Sequence, residues 1–124
     1  MSTTVVKKDQ FKERVRGWAN RLDARVTSIT MRPMKTKWAS YSTTGRLTFD
    51  IFLLELQEDI QDYAIVHELL HSRVPNHGKL WKSLMRVHLG DYEELEEKLK
   101  EIAKKSSLHL TSVRSLSVPG DDTK

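Results

Sequence analysis

Residues 62–71 read Asp62-Tyr63-Ala64-Ile65-Val66-His67-Glu68-Leu69-Leu70-His71. They sit inside a stretch, Asp59 to Arg73, that is expected to be one helix, capped by Asp59 or a near neighbour and ended by Pro75. On a helix, residues four apart lie one above the other on the same face. His67 and His71 can therefore grip one metal ion from adjacent turns without bending the backbone. Glu68 is offset by one residue, so its carboxylate stands beside such an ion instead of on it. A general base that takes a proton from metal-polarised water must stand there. Ile60, Ala64, His67 and His71 share a face, while Val66, Leu69 and Leu70 fill the other side. A helix that is apolar around most of its circumference belongs in a core, lined up against a cleft.

A catalytic zinc ion needs a third protein ligand and one open position. The third ligand cannot leave the same helix face one turn further on, because the backbone carries it past the ion. The chain must turn back, and Ser72-Arg73-Val74-Pro75-Asn76-His77 offers that turn. His77 is the expected third ligand. Its spacing from His71 equals that of the metzincins, but Val74 replaces their turn glycine and no methionine turn follows. The runner-up is a carboxylate further on, from Glu93, Glu94, Glu96 or Glu97. These glutamates also suit a solvated acidic helix face.

Working outward, Phe11, Val15, Trp18 and Leu22 recur at helical spacing and predict an amphipathic helix from about Lys8 to Arg25, with a basic row at Lys8, Lys12 and Arg16. Val26–Met31 is β-branched and alternating and reads as a strand. Lys37–Ser42 and Arg46–Phe49 flank Thr43-Thr44-Gly45 and read as a hairpin. Beyond the motif, Lys79–Leu89 groups Leu80, Trp81, Leu84, Met85 and His88 on one side, and Gly90 closes that helix. Asp91 is expected to cap a last helix that turns Tyr92, Leu95, Leu99 and Ile102 inward. The expected class is α+β: an N-terminal helix, a small antiparallel sheet of about three strands, the motif helix and two C-terminal helices. Residues 1–105 read as a single domain and 106–124 as a Ser-rich tail.

Composition narrows the class further. The chain has 124 residues, of which 38% are hydrophobic and 31% charged, and this pattern reads as globular. There is no cysteine, which excludes a disulfide framework and thiolate metal ligands. No apolar run reaches the length of a membrane span, and the N-terminus lacks the features of a secretory signal. The expectation is a cytoplasmic protein without membrane contact. Residues 1–50 hold 11 Lys/Arg against 4 Asp/Glu, a balance of +7, whereas residues 51–124 hold 10 against 13, a balance of −3. The basic half is compatible with a polyanionic partner such as DNA.

Three separated motifs carry a family resemblance. Met34-Lys-Thr-Lys-Trp-Ala-Ser with the hairpin through Gly45-Arg-Leu-Thr-Phe, then Asp62 to His71, then Pro75-Asn-His-Gly-Lys-Leu-Trp resemble the YgjP-like metallopeptidases, cousins of the WLM and SprT-like HExxH proteases. At residues 38–41 this chain has Trp-Ala-Ser-Tyr where the family usually has Trp-Gly-Ser-Cys. The resemblance implies a zincin-like fold, one zinc ion (or another divalent metal) held by His67, His71 and His77, and Glu68 as base. It implies hydrolysis of a protein or peptide substrate lying against the Lys37–Ser42 strand. Tyr41, Tyr63 and Tyr92 are candidates for stabilising an oxyanion, although each also suits packing. A second reading is a DNA-associated SprT-like protease, or a DNA-binding module that keeps a structural zinc. Trp18, Trp81 and Met85 fall on core stripes. His88 reads as a core histidine or a partner to a ligand, and His109 has no supporting constellation.

Overall fold

Helical spacing of apolar residues and short alternating runs account for the order of elements in the computed structural model, which describes residues 3–35, 37–71, 74 and 78–106 (without the side chains of Lys105 and Ser106). The order is α1 (Thr3–Leu22), β1 (Ser28–Arg32), β2 (Ala39–Tyr41), β3 (Arg46–Asp50), a short 3-10 helix (Ile51–Glu55), α2 (Glu58–Leu70), α3 (Lys79–Leu89) and α4 (Tyr92–Ser106). The class is α+β, as expected. None of the described helices is long and apolar enough to cross a membrane. The tail lies outside the described residues, apart from the backbone of Ser106.

α1 buries Phe11, Val15, Ala19 and Leu22. It stops short of the expected Arg25 because Asp23 takes a left-handed conformation, with φ of 57°. The N–H of Ala24 then reaches back to the Ala19 carbonyl at 2.8 Å, and that of Asp23 to Asn20 at 3.3 Å. This pair of bonds is the Schellman arrangement that satisfies the last carbonyls of a helix.

The sheet is mixed, not antiparallel, and this corrects the expectation. Its order is β1-β3-β2, with β1 parallel to β3 and β2 antiparallel to it. The hairpin forms as expected, but β3 then slips between β1 and β2. β3 is the most apolar-inward strand, with Leu47 and Phe49 fully buried, and the central place buries it on both flanks. Cross-strand rows Met31–Phe49–Ala39 and Ile29–Leu47–Tyr41 face the helices. Phe11 of α1 meets Phe49 edge-on at 5.0 Å, which docks α1 on that face. The row Thr30–Thr48–Ser40 faces the other way. Gly45 ends the hairpin turn at φ of 90°, and a Cβ there would press on the Arg25 carbonyl and Thr27 at 3.2 Å.

β2 is an edge strand. Its Trp38 carbonyl accepts from the Asp50 N–H at 2.8 Å, and the Ser42 N–H donates to Arg46 at 3.0 Å. In an antiparallel ladder alternate residues bond to the same neighbour. Residues 38, 40 and 42 therefore face β3, and Ala39 and Tyr41 direct their N–H and C=O groups away from it, with Ala39 buried and Tyr41 half-buried.

α2 is the hub. It packs against α1, α3, α4 and β2. From Ile60 to Leu70 every residue except Asp62 is buried. Its N-terminal cap is Gln57, which makes no side-chain bond, and Asp59 lies inside the first turn instead of capping it. Glu58 and Asp59 there favour the positive end of the helix dipole. α2 ends at Leu70, three residues before the expected Arg73, and the Val74 N–H turns back onto the Leu70 carbonyl at 2.8 Å. Gly90, with φ of 70°, closes α3 as expected. α3 buries Trp81 and Met85, but Leu80, grouped with them by periodicity, is exposed. α4 buries Tyr92, Leu99 and Ala103.

A polar clamp holds α2 in register. The Arg14 guanidinium donates to the Gln61 side-chain oxygen, to the Glu58 carbonyl at 2.8 Å and to Asp62 at 2.6 Å. The Trp18 indole N–H reaches the same Asp62 oxygen at 3.0 Å. Gln61 turns its amide nitrogen to the carbonyls of Leu53 at 2.7 Å and Leu56 at 3.2 Å. Donor faces acceptor at each contact, so buried Gln61 is satisfied on both sides. Gln61→Leu strands two carbonyls and the guanidinium, and should lower unfolding free energy by about 2–4 kcal/mol in urea titration. A change below about 1 kcal/mol would show that the clamp does not hold the helix.

Candidate active site

The last turn of α2 presents two imidazoles. The rings of His67 and His71 are 5.1 Å apart between centroids and nearly perpendicular, at 80°. Ligand atoms of His67, Glu68 and His71 all lie within 4.8 Å of one another. Among the described residues this is the group of His, Asp and Glu side chains that could hold a metal ion. His67 is fully buried and Glu68 is 5% exposed, whereas His71 is half-buried. His71 is thus the member that water reaches most readily.

Each ring is held by its neighbours. His71 Nδ1 lies 3.3 Å from the Val74 carbonyl oxygen. A carbonyl only accepts, so Nδ1 carries the proton and Nε2 keeps the lone pair that binds a metal. His67 Nδ1 lies 3.4 Å from the Glu68 carboxylate. Trp81, from α3, meets His67 edge-on at 5.2 Å and stacks on His71 at 6.3 Å with an 18° tilt. Tyr63, one turn before His67 on α2, touches it at 5.6 Å. Tyr92 of α4 backs Trp81 at 5.8 Å. An aromatic layer drawn from three helices thus fixes the two imidazoles.

The remaining sequence candidates lie in different places. His77 lies outside the described residues. The Tyr41 hydroxyl donates to the Arg25 carbonyl at 2.5 Å, at the hairpin end of the sheet. Tyr92 is buried, and its pKa is raised first by that burial and then by Glu93. Of the later glutamates, Glu93 pairs with Arg86 at 3.1 Å, Glu94 and Glu97 are exposed, and Glu96 is half-buried. Burial drives the Tyr63 pKa up, and the nearby Glu96 carboxylate adds to the effect. The Tyr63 hydroxyl nonetheless makes no hydrogen bond of good geometry with Glu96 or any other described residue. His88 packs on Trp18 at 6.1 Å, and Arg21 covers that indole at 4.3 Å. Burial and then Arg21 lower the His88 pKa.

Two contributions were not read from sequence. Trp81, the last residue of the third motif and the third residue of α3, reads from its spacing as a core residue and not as a wall of the site. The Arg14–Gln61–Asp62 clamp joins residues 47 and 48 positions apart, and only a polar Gln61 on an otherwise apolar face hinted at it.

A helix bearing His67, Glu68 and His71, packed on a small sheet and two later helices, is the zincin-like metallopeptidase fold, and solved structures agree. The metallopeptidase zymogen jannalysin of Methanocaldococcus jannaschii is 31% identical, with a TM-score of 0.64, over 77% of this chain and 96% of that one. The metallopeptidase zymogen abylysin of Pyrococcus abyssi, at 24% identity, shares the fold with a TM-score of 0.57 over 84% and 98% of the two chains. A search of curated proteins returned no match. The family model of the YgjP-like metallopeptidase domain matches residues 4–102, and the chain belongs to that family.

The Tyr63 hydroxyl gives a direct test of the packing. Tyr63→Phe removes a buried group without a formed bond, so stability should stay within about 1 kcal/mol of wild type or rise. A loss above about 2 kcal/mol on denaturant unfolding would reveal a bond to Glu96 that the geometry lacks.

Proposed function

We propose that this metallopeptidase-family chain hydrolyses peptide bonds with zinc, that His67, His71 and His77 are the ligands, and that Glu68 is the general base. One observation carries the reading: two imidazoles converge from adjacent turns, one oriented by the Val74 carbonyl, with the Glu68 carboxylate next to them. The donor set fits a zinc ion. Imidazole nitrogens suit it, and the C-terminal end of α2, where both rings sit, carries partial negative charge that favours a cation. Connectivity supports His77 as the third ligand. Val74 accepts from His71 and Trp81 packs on both rings, so the segment carrying His77 begins and ends at the site.

When bound, the ion supplies Lewis acidity toward water and toward the scissile carbonyl. Glu68 accepts the proton that the attacking water gives up and hands it to the leaving amine. Its burial beside His67 keeps the carboxylate out of bulk water, so the proton stays local. Trp81 and Tyr63 hold the imidazoles still while it moves. Of the three tyrosines, Tyr63 packs its ring on His67 but buries its hydroxyl near Glu96, so its part is to position the imidazole. Tyr41 is committed to Arg25, and Tyr92 stands behind Trp81. The substrate lies as an extended strand along Lys37–Ser42.

Glu68→Gln should retain zinc on metal analysis and lose roughly 10²- to 10⁴-fold in peptide turnover. Undiminished turnover would remove Glu68 from the mechanism. His77→Ala should lose most of its zinc on dialysis, whereas full occupancy would move the third ligand to the glutamates of α4.

A further inference from the structure

We propose that Trp18 and Asp62 are positioning residues for the metal site: the bond between them, from α1 to α2, sets how tightly His67 and His71 hold an ion. Such positioning deepens the peptidase reading and rests on it for the metal, though not for the helix geometry.

The first turns of α2 are gripped from two sides. From α1, Arg14 and Trp18 both donate to one oxygen of Asp62, Oδ1, at 2.6 and 3.0 Å. From the 3-10 helix and its C-terminal cap, the carbonyls of Leu53 and Leu56 hold the Gln61 amide at 2.7 and 3.2 Å. The other end of that amide, Oε1, meets Arg14. Turning α2 about its axis in either direction therefore lengthens some of these bonds. Burial alone does not supply this constraint, because from Ile60 to Leu70 only Asp62 escapes it.

Magnitudes make the grip relevant to the ligands. Side-chain tips lie roughly 5–6 Å from a helix axis, so a rotation of about 10° swings them by about 1 Å. Such a turn takes the 3.0 Å Trp18 bond past hydrogen-bonding range. Metal–ligand distances tolerate only about 0.2 Å. The clamp thus resists motion on the length scale that a metal site requires. Its geometry counts for more than its charge. The Arg14 and Asp62 side chains are 25% and 29% exposed, so water screens the attraction between them.

Trp18 also reaches the second helix of the site. Its ring meets His88 of α3 edge-on at 6.1 Å, and Arg21 lies over its other contacts at 4.3 Å from the ring centre. α3 carries Trp81, which packs on both imidazoles. Through its N–H, Trp18 fixes the helix that bears the ligands. Through its ring, it contacts the helix that walls them. Asp62 lies five residues before His67, about 7.5 Å along the helix, and acts through α2 itself.

The test uses the full chain and zinc alone. Affinity is read by competition with a chromophoric chelator, and stability by urea unfolding of the metal-free chain. Asp62→Ala should weaken zinc binding about tenfold. Trp18→Phe keeps a ring beside His88 but loses the N–H, and should weaken binding in the same direction. Asp62→Asn should stay within about twofold of wild type, because its amide oxygen can accept both bonds. Val15→Ala removes fully buried packing from α1 and should unfold at lower urea, yet hold zinc as wild type does. Wild-type affinity in Asp62→Ala or in Trp18→Phe would overturn the proposal. A loss in Asp62→Asn or Val15→Ala as large as in Asp62→Ala would do the same. Should Asp62→Ala not fold, the contrast between Trp18→Phe and Asp62→Asn decides. Zinc held by wild type and weakened in these variants, with no peptide cleaved, would leave the positioning standing and remove the peptidase reading. Peptide cleavage with zinc affinity equal in all variants would do the reverse. A wild-type chain that takes up no zinc would remove both.

Discussion

The structure depends on burying a polar, metal-competent cluster in the middle of a small core. His67 is fully buried and Glu68 nearly so, in a chain of only 124 residues. Polar groups placed there cost free energy unless something holds or uses them. The Val74 carbonyl orients His71, and Trp81 and Tyr63 wall in His67. Two later helices complete the wall: α3 supplies Trp81 and α4 supplies Tyr92, which backs it.

The second requirement is that α2 not rotate. A helix apolar around its circumference has little in its hydrophobic pattern to choose one facing over another. Rotation by one residue would swing both imidazoles away together, because they move as one face. Gln61, Asp62 and Arg14 remove that freedom through directional bonds, which hydrophobic packing does not supply. The clamp lies about one and a half turns before His67 and more than two before His71, yet it sets the direction in which they point.

The motif helix was legible because its logic is local. Spacing of four places two rings on one face wherever the helix sits, so the convergence of His67 and His71 and the adjacency of Glu68 follow from helix geometry. The amphipathic α1 and the hairpin at Gly45 were legible for the same reason. The sheet order was not. β3 pairs with β1 in parallel across a long connection, and alternation in each strand reads the same whichever neighbours it takes. The end of α2 at Leu70 was hidden too, because no side-chain pattern announces it. Leu80 fell on the outer border of its helical stripe, where spacing alone does not separate exposed from buried. The polar clamp joins distant residues and leaves only a faint mark, a glutamine among apolar neighbours.

X-ray absorption at the zinc edge of the purified, zinc-loaded chain tests the central claim most directly. The account predicts a four-coordinate ion with three imidazole nitrogens at about 2.0–2.1 Å and one oxygen. A first shell of oxygen with at most one imidazole would contradict it, since His67 and His71 would then not share the metal.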